Sequence, residues 1–231
     1  DKASLAAGLL LLAAMALIFR ADGREGFFQL RGMWWGILGL IGWAYLVGAL
    51  SFIWLRRNQV ALVAVMAMLY ILFVVDRTGF FDGWQPFRSW VDFGSMLGSH
   101  AGITVGGVIL GNVLAPGSAY TTHCARMTFA NWYAATMIVA GYALYQLAAT
   151  DPMWIINKNL ATVPWCLISA GWTVWAWVIL YWLMDVRGWT RWAGFLRPAG
   201  ENPLFAYILQ PMVYAGIGVV SAVALGGFDP Y

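Results

Sequence analysis

VPWCLISAGWTVWAWVILYWLM, from Val163 to Met184, is an apolar run without a single charged residue. A helix needs about 20 apolar residues to cross the hydrocarbon core of a bilayer, with a range of about 17–25. The run has this length, and a spanning strand would instead alternate apolar and polar residues over about ten positions. The run therefore predicts a membrane-spanning helix.

Apolar runs of similar length occur along the rest of the chain. Together they predict an all-α integral membrane protein, built as one domain over residues 1–231 from a bundle of about seven transmembrane helices. The predicted helices cover residues 3–19, 34–55, 59–75, 95–114, 129–149, 163–184 and 204–225.

The composition supports a membrane protein and excludes several other classes. Hydrophobic residues make up 62% and charged residues 10% of the 231 residues, whereas a soluble domain has about 25% charged residues. The scattered net charge of +3 argues against nucleic acid as a partner. The sequence has no phosphate-binding glycine motif and no zinc-ligand cluster. Cys124 and Cys166 lack metal-ligand spacing, so we expect free thiols and no metal.

Polar residues stand on both sides of the run 163–184. Asn157, Lys158 and Asn159 precede it, and Asp185 and Arg187 follow it. Polar groups beside hydrocarbon are costly and often mark function. The first cluster either binds a sugar hydroxyl or amine, or orients its own loop through turn hydrogen bonds. Asp185 ends a predicted helix, where the helix dipole disfavours an anion, so we expect a basic partner such as Arg187.

The segment after Asp185 is basic. Arg187, Arg191 and Arg197 precede a predicted helix that begins near Asn202. Guanidinium groups and helix N-termini both favour phosphate, so this segment is a candidate site for a phosphate-bearing cofactor. Alternatively, the same arginines only set the orientation of the chain in the membrane, because basic residues concentrate in cytoplasmic loops. Asn202 before a proline either caps the helix or directs its amide into the bundle.

The sequence offers two histidines as candidate bases. His100 stands at the start of a predicted helix, where it acts either as a general base or as a capping or interfacial group. His123 adjoins Cys124, and such a neighbour can favour a thiolate. We take His100 as the candidate catalytic residue and leave the catalytic group otherwise unknown.

Three sequence patterns carry a resemblance. They are INKNL at residues 156–160, YWLMDVRGW at 181–189 and GENPLFAY at 200–207. In this order and spacing they resemble the C-terminal half of the transmembrane heparan-α-glucosaminide N-acetyltransferase family and its bacterial relatives. Residues 31–46 are similar to the bacterial branch. The chain departs from common family patterns at Gly39, Leu40 and Glu201.

The resemblance implies a function and a longer fold. Members transfer an acetyl group from cytosolic acetyl-CoA to an amino sugar across the membrane, and their catalytic histidine lies in an N-terminal part that nothing here matches. We therefore expect this chain to be an interior part, or a degenerate relative, of an acyltransferase-like fold. The residues that match by motif are Asn157, Lys158, Asn159, Asp185, Arg187, Gly200 and Asn202.

Two functions remain open from the sequence. The first is an acetyl-CoA-dependent acyltransferase of the bacterial inner membrane that acts on an envelope amino sugar. The second is a non-catalytic structural subunit of a larger membrane complex. Membrane lipids are expected partners in both cases, and other membrane subunits or a second copy of the chain are candidates. Arginines close to helix ends place the loop 185–202 in the cytoplasm and the aromatic-rich loop 76–94 outside.

Overall fold

In the computed structural model, which describes residues 2–18, 36–56, 58–84 and 92–225, all regular secondary structure is helical. The long helices occupy the apolar stretches of the sequence. Their bounds are α1, Lys2–Ile18; α2, Ile37–Leu55; α3, Gln59–Arg77; a π-helical segment, Phe93–Ser99, continued by α4, His100–Leu114; α5, His123–Tyr145; α6, Val163–Tyr181, continued by a second π-helical segment, Trp182–Val186; α7, Arg197–Glu201; and α8, Pro203–Leu225.

Four helices of the described part are long and apolar enough to cross a membrane. They are Ile37–Leu55, Gln59–Arg77, Phe93–Leu114 and Val163–Val186, and a shorter apolar helix covers Ser4–Ile18. These helices are compatible with an integral membrane protein, because a helix satisfies the backbone of a long apolar segment in lipid.

The chain divides into two compact units, residues 1–176 and residues 177–231. In the first unit α3 and the first π-helical segment pack together, and α4 packs against both α2 and α3. Leu62 and Phe73 of α3, and Val105 and Ile109 of α4, are almost fully buried. Short 3₁₀ segments, Gln146–Ala149 and Pro152–Trp154, lead from α5 towards α6.

Glycines bring the helices of the first unit close together. A Cβ on Gly102 would lie 2.7 Å from the Tyr70 ring, and one on Gly98 would lie 3.0 Å from the backbone nitrogen of Phe73. α5 and α6 approach through Gly141 and Gly171, where a Cβ would meet the opposite helix at 2.6 Å in each case. Small residues permit such close approach between membrane helices.

The four glycines of α4 do not all serve this packing. Gly102 and Gly106 face neighbouring side chains, whereas Gly107 and Gly111 are exposed, and a Cβ added to either would have no neighbour within 4 Å. The glycines that pack against neighbouring residues are instead Gly98, Gly102 and Gly106, which follow one another at intervals of four residues. Gly107 and Gly111 therefore leave a face of α4 open.

Loop 76–94 is described except for residues 85–91, so Phe87 and Trp90 lie outside the described residues, as do residues 31–35 of the stretch 31–46. Phe81 contacts the rings of Phe80 and Phe93 at centroid distances of 5.1 and 5.0 Å. Trp84 lies 6.0 Å from Phe81. These four aromatic residues form a cluster that reaches the start of the π-helical segment.

Candidate functional site

The polar cluster before α6 folds into a turn that its own side chains hold together. The Asn157 Oδ1 atom accepts hydrogen bonds from the backbone nitrogens of Asn159 and Leu160, at 2.8 and 3.1 Å. An asparagine that binds backbone groups two and three residues ahead stabilises a turn. This is the second of the two roles that the sequence allowed for Asn157.

Thr162 completes this turn, although no sequence motif singles it out. Its side chain is 1% exposed, and its hydroxyl donates to the Ile155 carbonyl at 2.6 Å and accepts from the Asn157 backbone nitrogen at 3.1 Å. Ala161 adopts a φ of 46°, in the left-handed region that L-residues rarely occupy. Residues 155–162 therefore form a tightly specified structure, which we call the Asn157 turn.

Lys158 and Asn159 remain exposed on the surface of the Asn157 turn. Neither side chain makes a hydrogen bond to another residue within the described part of the chain. The ammonium group of Lys158 and the amide of Asn159 are therefore the groups of this cluster that stay available for a ligand.

The segment after α6, in the second unit, has a different construction. The backbone nitrogen of Arg187 donates to the Trp182 carbonyl at 2.9 Å, and that of Trp189 donates to the Leu183 carbonyl at 3.0 Å. Gly188 between them has a φ of 66°, which glycine adopts without steric cost. This turn ends the helix, and the Arg187 guanidinium lies 5.4 Å from the centroid of the Trp182 ring.

A surface pocket of about 650 Å³ opens at this turn. Its lining combines cationic, aromatic and small residues: Trp182, Leu183, Arg187, Gly188, Trp189, Thr190 and Arg191. Two of the predicted phosphate-binding arginines, Arg187 and Arg191, are therefore brought to one pocket, which we call the Arg187 pocket. Its lining contains no carboxylate, so these guanidinium groups have no competing anion within it.

Asp185 is exposed in the second π-helical segment. No ion pair joins it to Arg187 among the residues that the structure describes, so the expected pairing of these two neighbours is not observed. The indole of Trp182 takes the place of a carboxylate beside the Arg187 guanidinium. Arginine stacks on aromatic faces because the ring quadrupole attracts the cation.

Arg197 and Asn202 lie outside the lining of the Arg187 pocket. The Arg197 Nε atom pairs with Glu201 Oε1 at 2.7 Å across one turn of α7, and both side chains are largely exposed. The Asn202 Nδ2 atom donates to the Pro198 carbonyl at 3.3 Å. α8 begins at Pro203, directly after Asn202, as the Asn-Pro pair predicts.

His100 lies in the first unit, where the π-helical segment passes into α4. Its Nδ1 atom is 2.8 Å from the Ser95 carbonyl. A carbonyl can only accept, so Nδ1 carries the proton in this contact and Nε2 of the neutral ring keeps its lone pair. The ring therefore caps a backbone carbonyl and still has one nitrogen able to take a proton.

The other candidate groups are dispersed. His123 begins α5 and is exposed, Cys124 is an exposed free thiol, and Cys166 is a buried one. Among the described residues, no group of three or more His, Cys, Asp or Glu side chains is placed to hold a metal ion. Comparison of the chain with protein-family models, curated proteins and solved structures finds no match.

Proposed function

We propose that the chain is an acetyl-CoA-dependent acyltransferase of a bacterial inner membrane, or the part of one that binds the cofactor, with an envelope amino sugar as acceptor. In this proposal all seven apolar helices span the membrane, as parts of a longer acyltransferase-like fold. The observation that carries the proposal is the Arg187 pocket, together with the sequence patterns around it.

The chemistry of the Arg187 pocket suits coenzyme A. Two guanidinium groups can bind phosphate oxygens through paired, charge-assisted hydrogen bonds. The indoles of Trp182 and Trp189 offer flat faces on which an adenine ring can stack, an interaction that is worth about 1–3 kcal/mol for a base. Asp185, Arg197 and Asn202 then act near the cofactor, and Asn157, Lys158 and Asn159 contact the acceptor or shape its loop.

The proposed acyl transfer also requires a group that accepts a proton. Attack of an amine or hydroxyl on a thioester needs a base within hydrogen-bond reach. His100 is the candidate in this chain, because its Nε2 atom keeps a lone pair while Nδ1 is held by Ser95. A base contributed by another part of a longer protein would leave His100 as a capping residue.

Calorimetric titration of acetyl-CoA into the full-length protein in nanodiscs tests the cofactor site. We expect Arg187→Gln and Arg191→Gln each to weaken binding about tenfold, the effect of removing one hydrogen-bonded charge. Arg77→Gln is the matched control, because the Arg77 guanidinium also stacks on an aromatic ring, 5.1 Å from the Phe73 centroid, but Arg77 does not line the Arg187 pocket. No binding of acetyl-CoA at millimolar concentration would reject the proposal.

The second candidate function is a non-catalytic subunit of a larger membrane complex. One observation favours it: Gly107 and Gly111 leave an exposed face of small residues on α4, and such faces allow close helix association. Purification in mild detergent separates the two candidates. A subunit should retain partners in fixed ratio without binding acetyl-CoA, whereas the acyltransferase should bind the cofactor.

A further inference from the structure

A second cavity lies in the first unit, at the end where α2 finishes, α3 begins and α4 finishes. Its volume is about 750 Å³. It is lined by Phe52, Arg56, Gln59, Asn112 and the loop residues 115–120, and we call it the Arg56 cavity. The helices α2 and α3, and the helix Phe93–Leu114 that contains α4, are long and apolar enough to cross a membrane, so their shared end corresponds to the level of the lipid headgroups.

One wall of the Arg56 cavity is held by contacts between residues far apart in the sequence. The Asn112 Nδ2 atom donates to the Arg56 carbonyl at 2.9 Å, and the Gln59 Nε2 atom donates to the Ile109 carbonyl at 2.8 Å. These two amides tie the short connection between α2 and α3 to the end of α4. The wall is therefore part of the packed unit.

The opposite wall is a loop with a defined turn. The backbone nitrogen of Ser118 donates to the Ala115 carbonyl at 3.1 Å, and Gly117 has a φ of 81°. Proline at the second position and glycine with positive φ at the third are the signature of a type II turn. Tyr120 is fixed from both sides, because its nitrogen donates to Ser118 Oγ and its carbonyl accepts from Arg126 Nε at 2.9 Å.

The charge in the lining of the Arg56 cavity is positive. Arg56 exposes its guanidinium, which lies 6.0 Å from the centroid of the Phe52 ring and forms no ion pair among the described residues. The lining has no carboxylate. The sequence itself has no Asp or Glu in residues 26–75 or 93–150, the segments that supply both walls. The acidic residues Asp76 and Asp92 adjoin the opposite ends of α3 and of the helix that contains α4.

An arginine that serves only to orient the protein in the membrane needs no cavity around it. Here the guanidinium stands beside a concave surface whose Ser118 and Tyr120 hydroxyl groups can donate hydrogen bonds. Phe52, Pro116 and Ala119 add apolar area to the same lining. A tetrahedral anion with an adjoining apolar or polyol group matches this combination, since arginine binds phosphate through two parallel hydrogen bonds.

We propose that the Arg56 cavity is a binding site for a phosphate group, with Arg56 as its charged anchor and the 115–120 loop as its wall. The phosphate belongs either to the headgroup of an anionic phospholipid or to a phosphorylated compound free in solution. This site is separate from the proposed coenzyme A site and does not depend on acyltransferase activity.

Two experiments on the full chain distinguish the sources. In the first, the protein is reconstituted in nanodiscs of mixed phosphatidylglycerol and phosphatidylcholine, and tightly retained phosphatidylglycerol is counted by native mass spectrometry. In the second, inorganic pyrophosphate is titrated into the protein in pure phosphatidylcholine nanodiscs. Arg56→Gln is the test variant, and it should fold because the side chain is exposed and has no ion-pair partner in the described structure.

Arg77→Gln is a matched control. Arg77 lies at the other end of α3, and its guanidinium also stacks on an aromatic residue, 5.1 Å from the Phe73 ring centroid. We expect Arg56→Gln to lower retention or affinity about tenfold in at least one experiment, and Arg77→Gln to leave both unchanged. A loss in the lipid experiment identifies a lipid headgroup, and a loss with pyrophosphate identifies a soluble ligand.

Two results would overturn the proposal. The first is that Arg56→Gln reduces the binding of neither phosphatidylglycerol nor pyrophosphate. The other is an equal reduction by Arg56→Gln and Arg77→Gln, which would mean that overall positive charge attracts the ligand without a specific cavity. Circular dichroism of both variants establishes that the helices are intact before binding is compared.

Discussion

The polar segments before and after α6 look alike in the sequence but differ in the structure. In the Asn157 turn, the Asn157 amide oxygen and the Thr162 hydroxyl bind backbone groups of the same turn. In the Arg187 pocket, Arg187 and Arg191 are exposed and line a cavity. The first segment directs its hydrogen bonds inwards to build a rigid loop, and the second leaves its charges facing outwards.

This difference assigns the two segments different expected responses to mutation. Loss of a group that binds the backbone should lower stability, because a buried partner is left without a hydrogen bond. Loss of an exposed cation should change ligand binding and leave stability nearly unaltered. This assignment would be contradicted if a variant of the Asn157 turn changed ligand binding but not stability, or if a variant of the Arg187 pocket changed stability but not ligand binding.

Thr162→Val should cause the strongest loss of stability. Valine has nearly the same shape but no hydroxyl, so the Ile155 carbonyl and the Asn157 backbone nitrogen both lose a partner. We expect the free energy of unfolding to fall by about 2 kcal/mol. Titration with SDS in mixed micelles, followed by circular dichroism, measures the change.

Thr190→Val is the control in the other segment. Thr190 is exposed and lines the Arg187 pocket, so its replacement should alter stability by less than about 0.5 kcal/mol. Equal losses in the two threonine variants would show that the Asn157 turn is no more rigidly specified than the Arg187 pocket.

A smaller effect is expected at the two asparagines of the Asn157 turn. Asn157→Ala removes the acceptor of two backbone hydrogen bonds and should cost about 1 kcal/mol of unfolding free energy. Asn159→Ala should cost almost nothing, because the exposed Asn159 side chain makes no hydrogen bond within the described structure. The same SDS titration compares them.

If these asparagines contact a ligand, the order of the two variants in an activity assay should be the reverse of their order in stability. If acetyl transfer by the full-length protein falls more in Asn159→Ala than in Asn157→Ala, the exposed amide contacts the acceptor. The Asn157 turn would then be a rigid support that presents Asn159 and Lys158 to a ligand.

The sequence predicted the positions of the long helices well, because a long apolar run favours a helix. The predicted helix 3–19 corresponds to Lys2–Ile18, and 163–184 corresponds to Val163–Tyr181 with its π-helical continuation. α5 begins at His123, six residues before the predicted position 129. The prediction missed this start because the first turn of α5 is polar. The Thr122 hydroxyl caps this turn by accepting from the Ala125 nitrogen at 3.1 Å, a signal that an apolar-run criterion does not include.

The π-helical segment before His100 could not be predicted from local sequence. It depends on Asp92, whose carboxylate accepts from the Ser95 nitrogen at 2.9 Å, and on the close approach of Gly94 to Asp76, where a Cβ would lie 2.5 Å from the carboxylate. The second contact joins residues of different helices. The position of the Ser95 carbonyl, and with it the role of the His100 Nδ1 atom, follows from this tertiary packing.

The candidate site was predictable only in its residue types. Motif and charge drew attention to Arg187 and Arg191, and the structure places both in one pocket. The aromatic partners Trp182 and Trp189 could have been found from their positions flanking the Asp-Val-Arg-Gly sequence. The buried hydroxyl of Thr162 could not, because its importance arises from the path of the backbone between residues 155 and 162.

Ala161→Gly should have a small effect, and it tests whether the Asn157 turn carries backbone strain. Ala161 is fully buried and has a φ of 46°, a conformation that costs an L-residue about 1–2 kcal/mol and glycine very little. Glycine would relieve that strain, but it would also lose a buried methyl group worth about 0.8 kcal/mol. It would increase the entropy of the unfolded chain as well, at a cost of about 0.4–1 kcal/mol.

Because these contributions nearly cancel, we expect Ala161→Gly to change the unfolding free energy by less than about 0.5 kcal/mol in the SDS titration. A gain above about 1 kcal/mol would mean that the Asn157 turn retains uncompensated strain, which is typical of segments shaped for binding rather than for stability. The Asn157 turn would then belong with the Arg187 pocket as a functional segment.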